Sequence, residues 1–152
     1  MTRDAASLYR ELIVEHGQRP RNVGPLPEAT HEAKTENPLC GDSVIIQLLV
    51  NSDCIVAARF QARGCMISRA SASVLSELIV DRKAAEALAM ADVLAVLVDA
   101  SVPAPTDAGP LEPLRGVRDF PARKACATLP WEALRRALAG APVDPAGPRR
   151  SL

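Results

Sequence analysis

Charge of one sign, aromatic rings and long apolar runs are what this chain lacks. Eighteen Lys and Arg residues balance eighteen Asp and Glu, so it has no broad positive field of the kind that polyanion binding uses. Nucleic acid and membrane surfaces are therefore not expected partners. The aromatic residues are only four, Tyr9, Phe60, Phe120 and Trp131, too few to build a platform for stacking bases or sugars. The core must rest on Leu, Ile, Val and Ala. The opening MTRDAASLYRELIVEHG has charges spread through it and no continuous apolar stretch, which argues against a secretory signal or membrane anchor. A cytoplasmic location is the expectation. No internal repeat and no CxxC pair occur.

What is present suffices for one folded domain. With 152 residues and 48% hydrophobic content, the chain can bury an adequate core. We expect a single domain over residues 1–139 and a disordered tail over 140–152, GAPVDPAGPRRSL. Leu8, Tyr9, Leu12, Ile13 and His16 recur at helical spacing before Gly17, predicting a helix over 5–16. The Pro-rich residues 19–30 predict an extended loop, and HEAKTEN a first strand. VIIQLLV (44–50) and CIVAARFQA (54–62), joined by NSD, predict an antiparallel hairpin. Cys54, Val56, Ala58, Phe60 and Ala62 are expected to share one face of its second strand. Helices follow over about 65–80 and about 84–97, the latter with a break near Asp92. Five prolines and two glycines between Ser101 and Pro121 predict an irregular surface segment. A last helix carries Trp131, Leu134 and Leu138, with Pro130 expected in its first turn.

Four cysteines in a reducing compartment are expected to be thiols, available for metal binding, catalysis or packing. In NPLCGD (37–42) Gly41 lets the backbone bend so that Cys40 and Asp42 converge. Cys65 follows Gly64 at a helix start, where free amides favour a thiolate. Cys126 lies in ARKACATLPW, 61 residues beyond Cys65, and spacing alone leaves open whether the two meet. Thiolates suit zinc and iron, while a carboxylate is a harder, more exchangeable donor. Cys54, in phase with apolar residues, reads as a packing cysteine. Three thiolates and a carboxylate around a divalent ion leave excess negative charge, and Arg63, Arg69, Arg123 and Lys124 flank the candidate ligands. Arg123, three residues before Cys126, is the candidate for holding a thiolate or persulfide by charge. His16 reads as a helix-end residue and not a ligand. Ser68, Ser71 and Ser73 read as small packing residues, and Met66 and Ile67 as cover for the site.

NPLCGD, GCMISRASAS and ARKACATLPW, together with LYRELIVEHGQRPRNVG, resemble the signature segments of the NifU N-terminal or IscU-like iron-sulfur cluster assembly scaffold family. The added segment before the third cysteine resembles the SufU-type branch. Ala125 and Pro130 depart from the family pattern: the usual histidine or lysine before that cysteine is absent. The resemblance implies an α+β fold, a three-stranded antiparallel sheet with helices packed on one side. It implies one zinc held by Cys40, Asp42, Cys65 and Cys126. It further implies a SufS-type, pyridoxal-phosphate-dependent cysteine desulfurase as partner, alongside other iron-sulfur assembly proteins, with Cys126 accepting persulfide sulfur. The same four side chains could instead hold iron or a [2Fe-2S] cluster, making the chain a scaffold. In a third reading zinc only stabilises a binding module for the desulfurase. None of these makes it more than a sulfurtransferase-like carrier.

Overall fold

The computed structural model of the chain describes residues 4–140 and 142; the predicted tail lies almost wholly outside them. The elements in order are α1 (Ala5–Leu12), which continues as a π-helical turn over Ile13–Gly17, then β1 (His31–Glu36), β2 (Ser43–Asn51), β3 (Cys54–Arg63), α2 (Met66–Leu78) and α3 (Ala84–Leu97). Two 3-10 helices, Gly109–Asp119 and Pro121–Arg123, lead into α4 (Lys124–Ala139). The three strands form one antiparallel sheet in the order β1-β2-β3.

The hairpin closes through Ser52 and Asp53, both at positive φ (52° and 65°), the conformation that two-residue hairpin turns require. β2 is apolar without alternation because both of its faces are covered. Val44, Ile46 and Leu48 join the main core with residues of α2 and α4. Ile45 and Gln47, also buried, point the other way, beneath the 19–30 segment. There Gln47 Oε1 accepts the Leu26 N–H at 2.9 Å and its Nε2 donates to Glu32 at 2.9 Å. The helices thus pack on one face, and an extended strap covers the other.

Four local expectations fail, each for a reason visible in the packing. The register slips between Leu49 and Val50, so that Leu49 faces Ala57 but Val50 faces Ile55. This bulge turns Ile55 into the core and leaves Val56 exposed, so Cys54 and Val56 do not share a face with Ala58 and Phe60. α3 runs through Asp92 unbroken, because that side chain points outward and accepts from Arg135 Nη2 at 2.7 Å. The Pro-rich segment is not irregular. Most of it is a 3-10 helix that buries Leu111, Leu114, Gly116 and Val117, and Gly116 lies so close to Tyr9 that a Cβ there would fall 2.5 Å from the tyrosine Cβ. Finally, Pro130 is interior to α4. Pro121, at the start of the preceding 3-10 turn, is the proline that begins this helical stretch.

Helical spacing predicts a buried stripe of Val74, Leu75, Leu78 and Ile79 on α2; Val74 and Leu75 are buried, Leu78 is partly buried against the core, and the buried Ile79 is the C-cap residue just past the helix. His16 is a structural residue, its Nδ1 paired with Ser73 Oγ at 2.8 Å.

Candidate metal centre

Three connections at one end of the sheet supply the site. The first is the loop between β1 and β2. Asn37 closes it: its N–H donates to the Asp42 carbonyl at 2.8 Å, its carbonyl accepts from Gly41 N–H at 2.8 Å, and its Oδ1 accepts from Leu39 N–H at 3.0 Å. Gly41 takes φ +77°, the turn that brings Cys40 and Asp42 to one side. Cys40 is exposed and Asp42 is only 4% exposed.

Between β3 and α2 runs the second connection. Gly64 adopts φ +143°, and a Cβ on it would lie 2.2 Å from Asp42 Oδ1, so the carboxylate occupies the space a side chain would need. Cys65 is the N-cap of α2, and its N–H donates to Asp42 Oδ1 at 3.3 Å. One turn later the buried Ser68 hydroxyl donates to Asp42 Oδ2 at 2.8 Å. Met66 is partly exposed and Ile67 is buried. The third connection is the first turn of α4, which carries Cys126 at 4% exposure.

Ligand atoms of Cys40, Asp42 and Cys126 lie within 4.8 Å of one another. Around a tetrahedral zinc with thiolates at about 2.3 Å, neighbouring sulfurs sit about 3.8 Å apart, so this donor set fits such an ion after a small contraction. Cys65 stands beside the trio. Its Sγ is 3.6 Å from Ser68 Oγ, and it is near enough to Cys126 to help raise that thiol's pKa.

Burial pushes the Cys126 thiol up to about 12, helped by the neighbouring Cys65 and Asp42 side chains. A bound cation reverses that balance, since metal ligation deprotonates a thiol outright. For Asp42, burial raises the carboxyl pKa, but hydrogen bonds with Ser68, Cys65 and Cys126 outweigh it and leave the net shift downward.

Of the cationic residues flanking the site, Arg123 is exposed at the N-cap of α4. Its charge is felt at the Tyr9 hydroxyl, whose pKa burial raises, Arg123 lowers, and Cys65 and Cys126 raise. Lys124 pairs with Asp99 Oδ2 at 3.3 Å. Arg63 is exposed at the end of β3, and Arg69 is half-buried on α2. Cys54 lies at the opposite end of β3, half-buried, bridged to Lys83.

Sequence reasoning missed three neighbours of the site: Gly64 as the residue that admits Asp42, Ser68 as its hydrogen-bond donor, and Tyr9. Ser68 and Asp42 are 26 residues apart, and no local pattern links them. Tyr9 stacks on Phe120 with ring centroids 5.7 Å apart, a contact that a helical stripe does not reveal.

In sequence and in fold the chain is similar to known proteins. The NifU-like N terminal domain model matches residues 8–140. The chain is 36% identical over 138 residues to the zinc-dependent sulfurtransferase SufU of Bacillus subtilis, covering 88% of this chain and 90% of that protein. It is 35% identical over 132 residues to the iron-sulfur cluster assembly scaffold protein IscU of Streptococcus pyogenes, covering 86% and 82%. A crystal structure from Fervidobacterium islandicum, of a protein assigned as an iron-sulfur cluster assembly scaffold for the SUF system, superposes with a TM-score of 0.78 at 29% identity, covering 89% of this chain and 99% of that one.

Proposed function

The chain belongs to the NifU-like N-terminal domain family of iron-sulfur cluster assembly scaffolds, and on that premise we propose that it is a zinc-dependent sulfur acceptor serving a SufS-type cysteine desulfurase. The observation that carries this reading is the convergence of Cys40, Asp42 and Cys126 on a point that Cys65 also flanks. In it these four side chains hold the zinc. The ion supplies charge that keeps buried thiols deprotonated. Asp42 is the weak, exchangeable donor, held in place by Ser68 and the Cys65 amide.

The transfer itself is thiolate exchange. The Cys126 thiolate attacks the outer sulfur of the desulfurase persulfide, a new Cys126 S–S bond forms, the old S–S bond breaks, and the desulfurase cysteine leaves as thiolate. Arg123, one turn ahead of Cys126, is the cation we assign to the transferred sulfur. Leu39, Met66 and Phe120, exposed by 96%, 38% and 51%, give the region an apolar rim for the partner to cover, and other iron-sulfur assembly proteins would use the same surface. Residues 1–139 act as one functional unit in this reading. Among the described residues no helix is long and apolar enough to cross a membrane.

Metal analysis of anaerobically isolated protein, together with its effect on desulfurase turnover, tests the proposal. We expect a colourless protein with one zinc per chain that raises turnover, and a Cys126→Ser variant that accepts no labelled sulfur. The likeness to the Streptococcus scaffold favours one alternative, assembly of a [2Fe-2S] cluster on the same ligands. Brown protein after reconstitution with iron and sulfide, with no effect on turnover, would establish that alternative instead.

A further inference from the structure

Pro130 occupies the seventh position of α4 and is buried. It has no N–H, so the carbonyl four residues earlier receives no helical hydrogen bond from it, and the proline ring crowds that same carbonyl. That carbonyl belongs to Cys126.

The helix on either side of this gap is fastened very differently. Downstream, Ser71 Oγ on α2 donates to the Ala127 carbonyl at 2.6 Å, and Thr35 Oγ1 on β1 donates to the Leu129 carbonyl at 2.9 Å. Trp131 Nε1 donates in turn to Ser71 Oγ at 3.1 Å, and Thr35, Ser71 and Trp131 are all buried. Upstream, residues 119–125 are exposed throughout. Lys124 is tied there to Asp99 by a partly exposed ion pair, a weak restraint in water. Cys126 marks the boundary, itself 4% exposed, so its sulfur must leave the core before it can meet a sulfur carried by another protein.

We propose that Pro130 is a positioning residue that makes the first turn of α4 a hinged flap, swinging Cys126 outward while α4 beyond Ala127 stays pinned to α2 and β1. This deepens the sulfur-acceptor reading and rests on it. A continuous helix would tie the Cys126 carbonyl to residue 130 and so hold the thiol down. The proline removes that tie at the one residue whose exposure matters, and the Ser71 and Thr35 hydroxyls confine the resulting play to the exposed side.

The test is Pro130→Ala in the full chain, read by site-resolved alkylation of each cysteine and by hydrogen exchange at the new residue-130 amide. Alkylation of a buried thiol tracks the population of the open form. We expect the new amide to be protected and Cys126 to alkylate about fivefold more slowly, the weight of one helical hydrogen bond, while Cys40 and Cys54 are unchanged. An unchanged or faster Cys126 rate would overturn the hinge. Thr35→Val, which keeps Pro130 but frees the Leu129 carbonyl, should act oppositely and raise the Cys126 rate about as much; no change there would equally count against it. Because thiol labelling does not require sulfur transfer, the two proposals fail separately. Slower labelling in a chain that accepts no sulfur supports the hinge and refutes the acceptor role, whereas normal labelling with intact transfer does the reverse.

Discussion

Replacing Ser68 by alanine should unsettle the candidate site through the loss of one oxygen atom. Ser68 is 1% exposed, and its hydroxyl donates at 2.8 Å to the carboxylate of Asp42, a residue that is itself 4% exposed. A hydrogen bond to a charged group contributes about 1.5 to 3 kcal/mol. Asp42 keeps the Cys65 N–H at 3.3 Å, so the loss should be about 2 kcal/mol, in the middle of that range. For a chain of this size that lowers Tm by about 4 to 8 °C. The effect has a predictable pH signature. Asp42 has a folded-state pKa below its ordinary value, so its contribution is present above the unfolded carboxyl pKa, about 3.9, and disappears as pH falls through the folded value. Urea denaturation of metal-free protein should therefore show a constant gap between wild type and Ser68→Ala from neutral pH down to about 5, closing below about 4. In an Asp42→Asn background the same substitution should lose most of its effect. If Ser68→Ala melts within about 1 °C of wild type, or if the gap persists unchanged in Asp42→Asn, the hydrogen bond does not do what its geometry implies.

Two further substitutions probe the surroundings. Gly64→Ala introduces a Cβ 2.2 Å from Asp42 Oδ1 at a φ of +143°; backbone strain and overpacking together should lower stability by about 3 kcal/mol. Thermal melting and zinc stoichiometry should fall together, and a variant that melts normally with full zinc would show that the loop yields freely. His16 has its pKa lowered, first by burial and then by Arg21, against the opposing pull of Glu77 and Glu15. Its neutral form is favoured on folding, so stability present above the unfolded histidine pKa, about 6.5, is lost as pH drops through the lower folded value. Urea midpoints of wild type should decline across that window while those of His16→Gln stay level, and parallel curves would remove His16 as the cause.

Local signals carried much of the architecture. β-branched runs around Asn51, Ser52 and Asp53 dictate the hairpin, because few sequences tolerate two successive residues at positive φ. Gly41 dictates the turn at Cys40 and Asp42, and the periodicity of Val74, Leu75, Leu78 and Ile79 dictates α2. Local rules misjudged the segments where distant groups compensate. The Pro-rich 109–119 segment is helical because Leu111, Leu114 and Val117 bury beside α1. Pro130 survives inside α4 because hydroxyls from β1 and α2 hold the neighbouring carbonyls.

The sequence by itself determined the donor types, their order along the chain and the turn that pairs Cys40 with Asp42, since these follow from residue chemistry and backbone conformation over a few positions. That Cys126 joins them was implied by the family resemblance and left open by spacing, and tertiary structure brings it about; tertiary structure alone decided that Ser68 and Gly64 shape the seat of Asp42, and that Cys40 is exposed while Cys126 is buried. The physical reason is range. Dihedral preference and periodicity act over neighbouring residues, whereas a side chain's burial and its hydrogen-bond partners depend on which distant segments pack against it.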